Sequence, residues 1–178
     1  MAERLKSLYD LQVEQVDGQP DTLVTESAIR AILEDSGLHS VVHRETVAED
    51  GSSTLLLRGD ASTDVHCVFE FSASSAGQWD VREGITITGS GTALTFRNQD
   101  RNSAETVVAT ARNTPVYTGS GTLLEAGEIA GGGKFPDGGG DAGTIHELVL
   151  KYSTDYLMRF IADTAARVVI GVTAWEHK

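Results

Sequence analysis

Near its end the chain reads Arg167-Val168-Val169-Ile170-Gly171-Val172-Thr173-Ala174-Trp175. In an extended backbone successive side chains point to opposite faces, so Val168, Ile170, Val172 and Ala174 share one side. This period of two predicts a strand buried on one face. The same texture runs back through most of the sequence.

From residue 54 onward, runs rich in Val, Ile, Thr, Phe and Leu alternate with clusters of Gly, Ser, Asn and Asp. Strands are expected at Thr54–Arg58, Val65–Ser72, Gln78–Arg82, Ile85–Thr88, Ala93–Phe96 and Glu105–Ala111. Others follow at Val116–Thr118, Thr122–Leu124, Thr144–Leu150 and Tyr156–Ile161. The turns between them include Ser74-Ser75-Ala76-Gly77, Gly89-Ser90-Gly91 and Gly119-Ser120-Gly121. Many short, evenly spaced strands without β–α alternation predict an all-β fold, a sandwich or jelly roll.

Ahead of these strands, apolar residues at 28, 29, 32 and 33 have helical spacing that Gly37 ends. They predict one short helix over 27–34, with extension into a strand at Leu38–His43 as the alternative. Residues 1–28 show no sustained stripe, and Pro20-Asp21 marks a turn, so the segment reads as an N-terminal arm. The expected organisation is an arm, 1–28, and one β-sandwich domain, 29–178.

A chain of 178 residues can bury a core without covalent staples. No run approaches 18 consecutive apolar residues, so no membrane partner is expected. Met1–Lys6 is charged and no apolar region follows, so no secretory signal is expected. The net charge is -12, from 26 acidic against 14 basic residues that do not cluster. A field of that sign repels phosphate backbones, and nucleic acid is excluded as an expected partner. The acidity instead suits solubility or a basic protein surface. Glycine is frequent at 19 residues and proline scarce at 3, as tight turns between strands require.

Residues that carry chemistry in other proteins have plainer explanations in this one. Cys67 is the only cysteine and sits in the apolar run Val65–Phe69, where a buried, inert thiol is expected. His39 and His43 are four apart, which in a strand separates them by about 13 Å, too far to share an ion. No HExxH is present, and no metal or other cofactor is expected. Nor is there a G-x-S-x-G elbow for a nucleophilic serine. Asp137-Gly138-Gly139-Gly140-Asp141 resembles one calcium-binding glycine–aspartate turn, but such sites need stacked copies. Arg58-Gly59-Asp60 spells an adhesion tripeptide that a turn at a strand end explains. The glycine-rich stretch 131–141 reads as a surface loop, or as one that orders against a partner.

One cluster stands out: Arg97-Asn98-Gln99-Asp100-Arg101-Asn102-Ser103. Its two arginines and two asparagines offer forked hydrogen-bond donors to a partner's carboxylates or carbonyls. A loop braced by its own side chain to backbone bonds is the competing reading. Arg97, Asn98, Arg101 and Asn102 are the candidate contact residues.

The order of these signals resembles that of the jelly-roll cement, or decoration, proteins of tailed-phage heads. Ile32-Leu33-Glu34-Asp35-Ser36-Gly37-Leu38-His39 is similar to that family's IHEG-x-H segment. Val68–Ser72 and Val81–Gly84 resemble its F-E-x-S and Y-E-G strands. Asn98–Ser103 is similar to its NRNRNS loop, and Thr114-Pro115-Val116 to its HTPT. Glu147–Lys151, Thr154–Arg159 and Trp175-Glu176-His177 resemble its C-terminal signals. Asp100, Asn113 and Ala174 depart from the family's usual residues. The likeness spans roughly residues 29–178.

The resemblance implies a non-enzymatic jelly roll on the outside of a capsid, bound to the major capsid protein and stabilising the shell. A homo-oligomer, dimer or trimer, is the expected state on a symmetric lattice. The alternative from the residues is a carbohydrate-binding sandwich, for which an aromatic content of 6% is thin.

Overall fold

The computed structural model describes residues 37–130 and 147–176. The expected arm, the helix at 27–34 and the glycine-rich stretch 131–141 lie outside the described residues. Within them there are thirteen strands and no helix. The strands are β1 (His39–Val47), β2 (Ser52–Arg58), β3 (Val65–Ala73), β4 (Gly77–Glu83), β5 (Thr86–Gly89), β6 (Thr92–Leu94) and β7 (Arg97–Asn98). The remainder are β8 (Thr110–Asn113), β9 (Val116–Thr118), β10 (Thr122–Ile129), β11 (Glu147–Leu150), β12 (Asp155–Ala162) and β13 (Ala166–Glu176).

All pairings are antiparallel. A first sheet has five strands in the order β11-β3-β13-β1-β7, and a second has six in the order β10-β4-β12-β2-β8-β6. A separate ribbon pairs β5 with β9. The chain shuttles between the sheets: β1 lies in the first, β2 in the second, β3 in the first, β4 in the second. The same alternation returns at the other end, where β10, β11, β12 and β13 lie in the second, first, second and first sheets.

Period-two sequence becomes a two-sided core. Val168, Ile170, Val172 and Ala174 of β13 are all buried, as are Val65, Cys67, Phe69 and Phe71 of β3. Facing them from the second sheet are Leu55 and Leu57 of β2, Trp79 and Val81 of β4, and Tyr156, Met158 and Phe160 of β12. The Trp79 indole spans the gap, stacked on Phe71 with ring centroids 5.0 Å apart and edge-on to Phe69 at 6.1 Å. Burying an aromatic or aliphatic side chain of this size stabilises the fold by about 1.5–3 kcal/mol. The packing of two inner faces makes the fold a β-sandwich.

Strands β2, β4 and β12 of the second sheet depart from alternation, β2 most of all, for a reason visible in the ribbon. Ser53 through Leu57 of β2 are buried without a break. Leu55 and Leu57 face the core, while Leu56 faces outward with Leu157 of β12 and meets Ile85, Ile87 and Tyr117. The β5–β9 ribbon therefore covers the outer face of the second sheet. Beside it Asp80 is ion-paired to both Arg82 and Arg159, and Tyr117 hydrogen-bonds Arg159.

Three sequence expectations change. The segment expected as a strand over 105–111 is irregular until β8 begins at Thr110. Its backbone groups are taken by side chains instead: His39 Nε2 lies 3.0 Å from the Glu105 carbonyl, and Val108 N donates to Glu176 Oε1 at 2.5 Å. Arg97 and Asn98, expected in a loop, form β7 against Ser40 and His39. The strands expected over 38–43 and 122–124 run on to Val47 and Ile129.

Candidate functional site

The polar cluster lies at one edge of the first sheet. Arg97 pairs with Ser40 and Asn98 with His39, after which the chain leaves the sheet as an irregular segment to Ala109. The Gln99 amide donates to the Leu38 carbonyl at 2.7 Å, fixing the point of exit.

Beyond that point the loop is braced by its own short polar side chains. Asn98 Oδ1 accepts from the Asp100 amide at 2.9 Å, and Asp100 Oδ1 accepts from the Asn102 amide at 2.9 Å. Ser103 Oγ accepts from the Glu105 amide at 3.1 Å. These are the local i to i+2 bonds that Asn, Asp and Ser form in place of a sheet ladder. Asn98 Nδ2 also donates to the Glu105 carbonyl at 3.3 Å, closing the loop on itself. The His39 ring adds a second clamp between Glu105 and the start of β1. Its Nε2 lies 3.0 Å from the Glu105 carbonyl and its Nδ1 3.2 Å from that of Gly37, so whichever nitrogen carries the proton bonds one of them.

The four candidates thus divide. Asn98 is half-buried and braces the loop through its side chain, while Asn102 enters the bracing through its backbone amide. Arg97 and Arg101 are exposed, and among the described residues neither guanidinium has an intramolecular partner. The loop is therefore held by one set of residues and displays another. His39 and Glu105 complete the brace, a pairing with no local sign in the sequence, since 66 positions separate them.

The other chemistry-bearing residues have structural partners. His43 is buried beside Glu45 at 3.2 Å and Asn113 at 3.5 Å. His39 and His43 do share the buried face of β1, each with its own partners. His66 stacks on Trp175 and meets Glu147 Oε1. Among the described residues no three His, Cys, Asp or Glu side chains are grouped to hold a metal ion. His146, His177 and Asp137–Asp141 lie outside the described residues. Burial pushes the Cys67 thiol up to about 12, with the Glu147 carboxylate adding to the shift.

In Arg58-Gly59-Asp60 the arginine is bound to Asp155 at 3.1 Å, and Asp60 caps a turn by accepting from the Ser62 amide. Hydrogen bonds from the Ala61 and Ser62 amides hold the Asp60 carboxyl below its usual range. Trp79, Trp175 and Tyr156 are buried, and Tyr152 is the exposed Phe, Tyr or Trp ring among the described residues. A platform of several exposed rings, which sugar stacking requires, is not formed by them.

Compared with models of known protein families, with curated proteins and with solved structures, the chain shows no significant match.

Proposed function

We propose that this protein is a capsid cement protein: a jelly-roll domain on the outer surface of a tailed-phage head. In that role it binds the major capsid protein and stabilises the shell, without catalysing a reaction. The observation that carries the reading is the self-braced loop from Asn98 to Glu105, which holds its own backbone and leaves Arg97 and Arg101 exposed. A rigid loop loses little entropy on contact, and forked guanidinium donors suit a partner's carboxylates. They also place positive charge on the surface of a chain whose net charge is -12.

The strand order supports the jelly-roll reading. Taking β1, β2, β3, β4, β10, β11, β12 and β13 as eight strands, one sheet contains β1-β13-β3-β11 and the other β2-β12-β4-β10. The successive pairs β1/β2, β3/β4, β10/β11 and β12/β13 each occupy equivalent places in opposite sheets, and β4 passes to its neighbour β10 within one sheet, the arrangement of two interleaved Greek keys. Such a body needs only loops and many copies. Weak contacts repeated over a lattice act together through avidity, and a dimer or trimer of this chain would match lattice symmetry.

The experiment is re-attachment of purified protein to shells stripped of it, comparing wild type with Arg97→Glu/Arg101→Glu. Loss of attachment with an unchanged unfolding midpoint is the expected result. Full occupancy by the double variant would remove the loop from the proposal.

A further inference from the structure

On the far side of the second sheet, the β5–β9 ribbon and the sheet it covers leave a cleft of about 240 Å³. Leu56 and Ile87 form its apolar floor, and Arg58, Arg112 and Asp155 supply its charge. Register explains why the two arginines meet there. Arg58 pairs with Thr110 across β2 and β8, and Arg112 lies two residues further along the same strand. They are diagonal neighbours on one face, with backbones about 7–8 Å apart, within reach of a single small group.

Their situations differ. Arg58 is exposed and holds Asp155 through Nη1, at 3.2 Å and 3.1 Å from its two oxygens. Its other donors remain available, since a guanidinium has five N–H groups. Arg112 is half-buried and has no hydrogen-bond or ion-pair partner among the described residues. No other described arginine combines partial burial with an empty fork: Arg82 and Arg159 are bound to Asp80, and Arg44, Arg97, Arg101 and Arg167 are exposed. Partly desolvating a cation without giving it a counter-charge is costly, and an anion in the cleft would relieve that cost.

We propose that this cleft binds a carboxylate on a short carbon chain, with Arg112 as its principal fork and Arg58 as the second. Charge selects the group. Two guanidiniums and the Asp155 carboxylate leave the cleft at +1, which one carboxylate neutralises and a phosphate dianion oversteps. Size selects the chain: a cleft this small falls below the roughly 300–1,000 Å³ of sites for drug-sized ligands. It suits a side chain or a small acid lying on Leu56 and Ile87, with Ser90 and Thr110 completing the lining. The same chemistry comes from a glutamate side chain of another protein or from a free short-chain acid. This inference is independent of the capsid reading.

The test follows the arginine Nε–H resonances of the isotope-labelled full chain at constant ionic strength. The probes are butyrate, N-acetylglutamate N-methylamide, the neutral butyramide and inorganic phosphate. Saturable shifts of Arg112 and Arg58 with butyrate are expected, with a dissociation constant on the order of 1 mM. Arg112→Gln should weaken binding by about tenfold, with Arg112→Lys between the two, because lysine keeps the charge but not the fork. If the blocked glutamate binds as well as butyrate, the cleft accepts a protein side chain; if butyrate alone binds, it takes a free acid. Absence of saturation, equal shifts with butyramide, tighter binding of phosphate, or unchanged affinity in a folded Arg112→Gln chain would overturn the proposal. Should that variant fail to fold, the wild-type comparison of butyrate with butyramide still decides.

Discussion

The Trp79 indole lies so close to Gly127 on the neighbouring strand that a Cβ on that glycine would stand 2.7 Å from Trp79 Cζ2. The two residues are register partners in β4 and β10. A side chain at 127 would have to displace a ring that also stacks on Phe71 and contacts Phe69. The contact therefore ties the edge strand β10 to the centre of the core.

Gly127→Ala should accordingly destabilise the protein by about 1–3 kcal/mol, the usual cost of overpacking a fitted site. Equilibrium denaturation measures it, and tryptophan fluorescence should shift in the native baseline. The neighbouring exposed Glu128→Ala is the control, expected within about 0.5 kcal/mol of wild type.

Asp80 compensates two partly buried guanidiniums, Arg82 and Arg159. Asp80→Ala leaves both without it and should cost about 2–4 kcal/mol, below the full penalty because each arginine keeps some solvent contact. Denaturant midpoints test this. Added salt should narrow the gap between variant and wild type.

The Cys67 thiol titrates near 12 in the folded protein against a reference of 9.0. The folded state thus holds a proton that the unfolded chain releases between those values. Stability from this group is complete below pH 9 and falls as pH rises towards 12, by roughly 4 kcal/mol at most. Cys67→Ala should be less stable at neutral pH, having lost buried volume, yet lose less stability across the alkaline range. Parallel slopes for variant and wild type would contradict the assignment.

Asn98→Ala removes one acceptor and one donor from the loop brace. Global stability should fall by about 1 kcal/mol. Amide exchange at Asp100 should accelerate well beyond that of the β13 amides. Equal acceleration in both would mean that the loop is not a separate unit.

The strands were legible where burial is one-sided. The alternation at Val168, Ile170, Val172 and Ala174 can be read from the sequence because a single face meets the core. It fails at Leu55-Leu56-Leu57, since the cover on Leu56 comes from a ribbon whose halves are 28 residues apart in sequence. It fails again at 105–109, the first part of the strand expected over Glu105–Ala111, where side chains from β1 and β13 take backbone groups instead. Within the polar cluster the residue types were informative and their division of labour was not. The i to i+2 bonds of Asn98, Asp100 and Ser103 are local, whereas the pairing of Arg97 with Ser40 depends on the assembled sheet. Arg112 carries no signal in the sequence, because a lone arginine in a short strand becomes distinctive only when its neighbours are in place.

The capsid reading is tested most directly by the number of copies of this protein in purified virions, measured by quantitative mass spectrometry against the major capsid protein. A ratio near one, or a simple fraction of it, is expected for a protein bound across the lattice. A handful of copies per particle, or none, would contradict it.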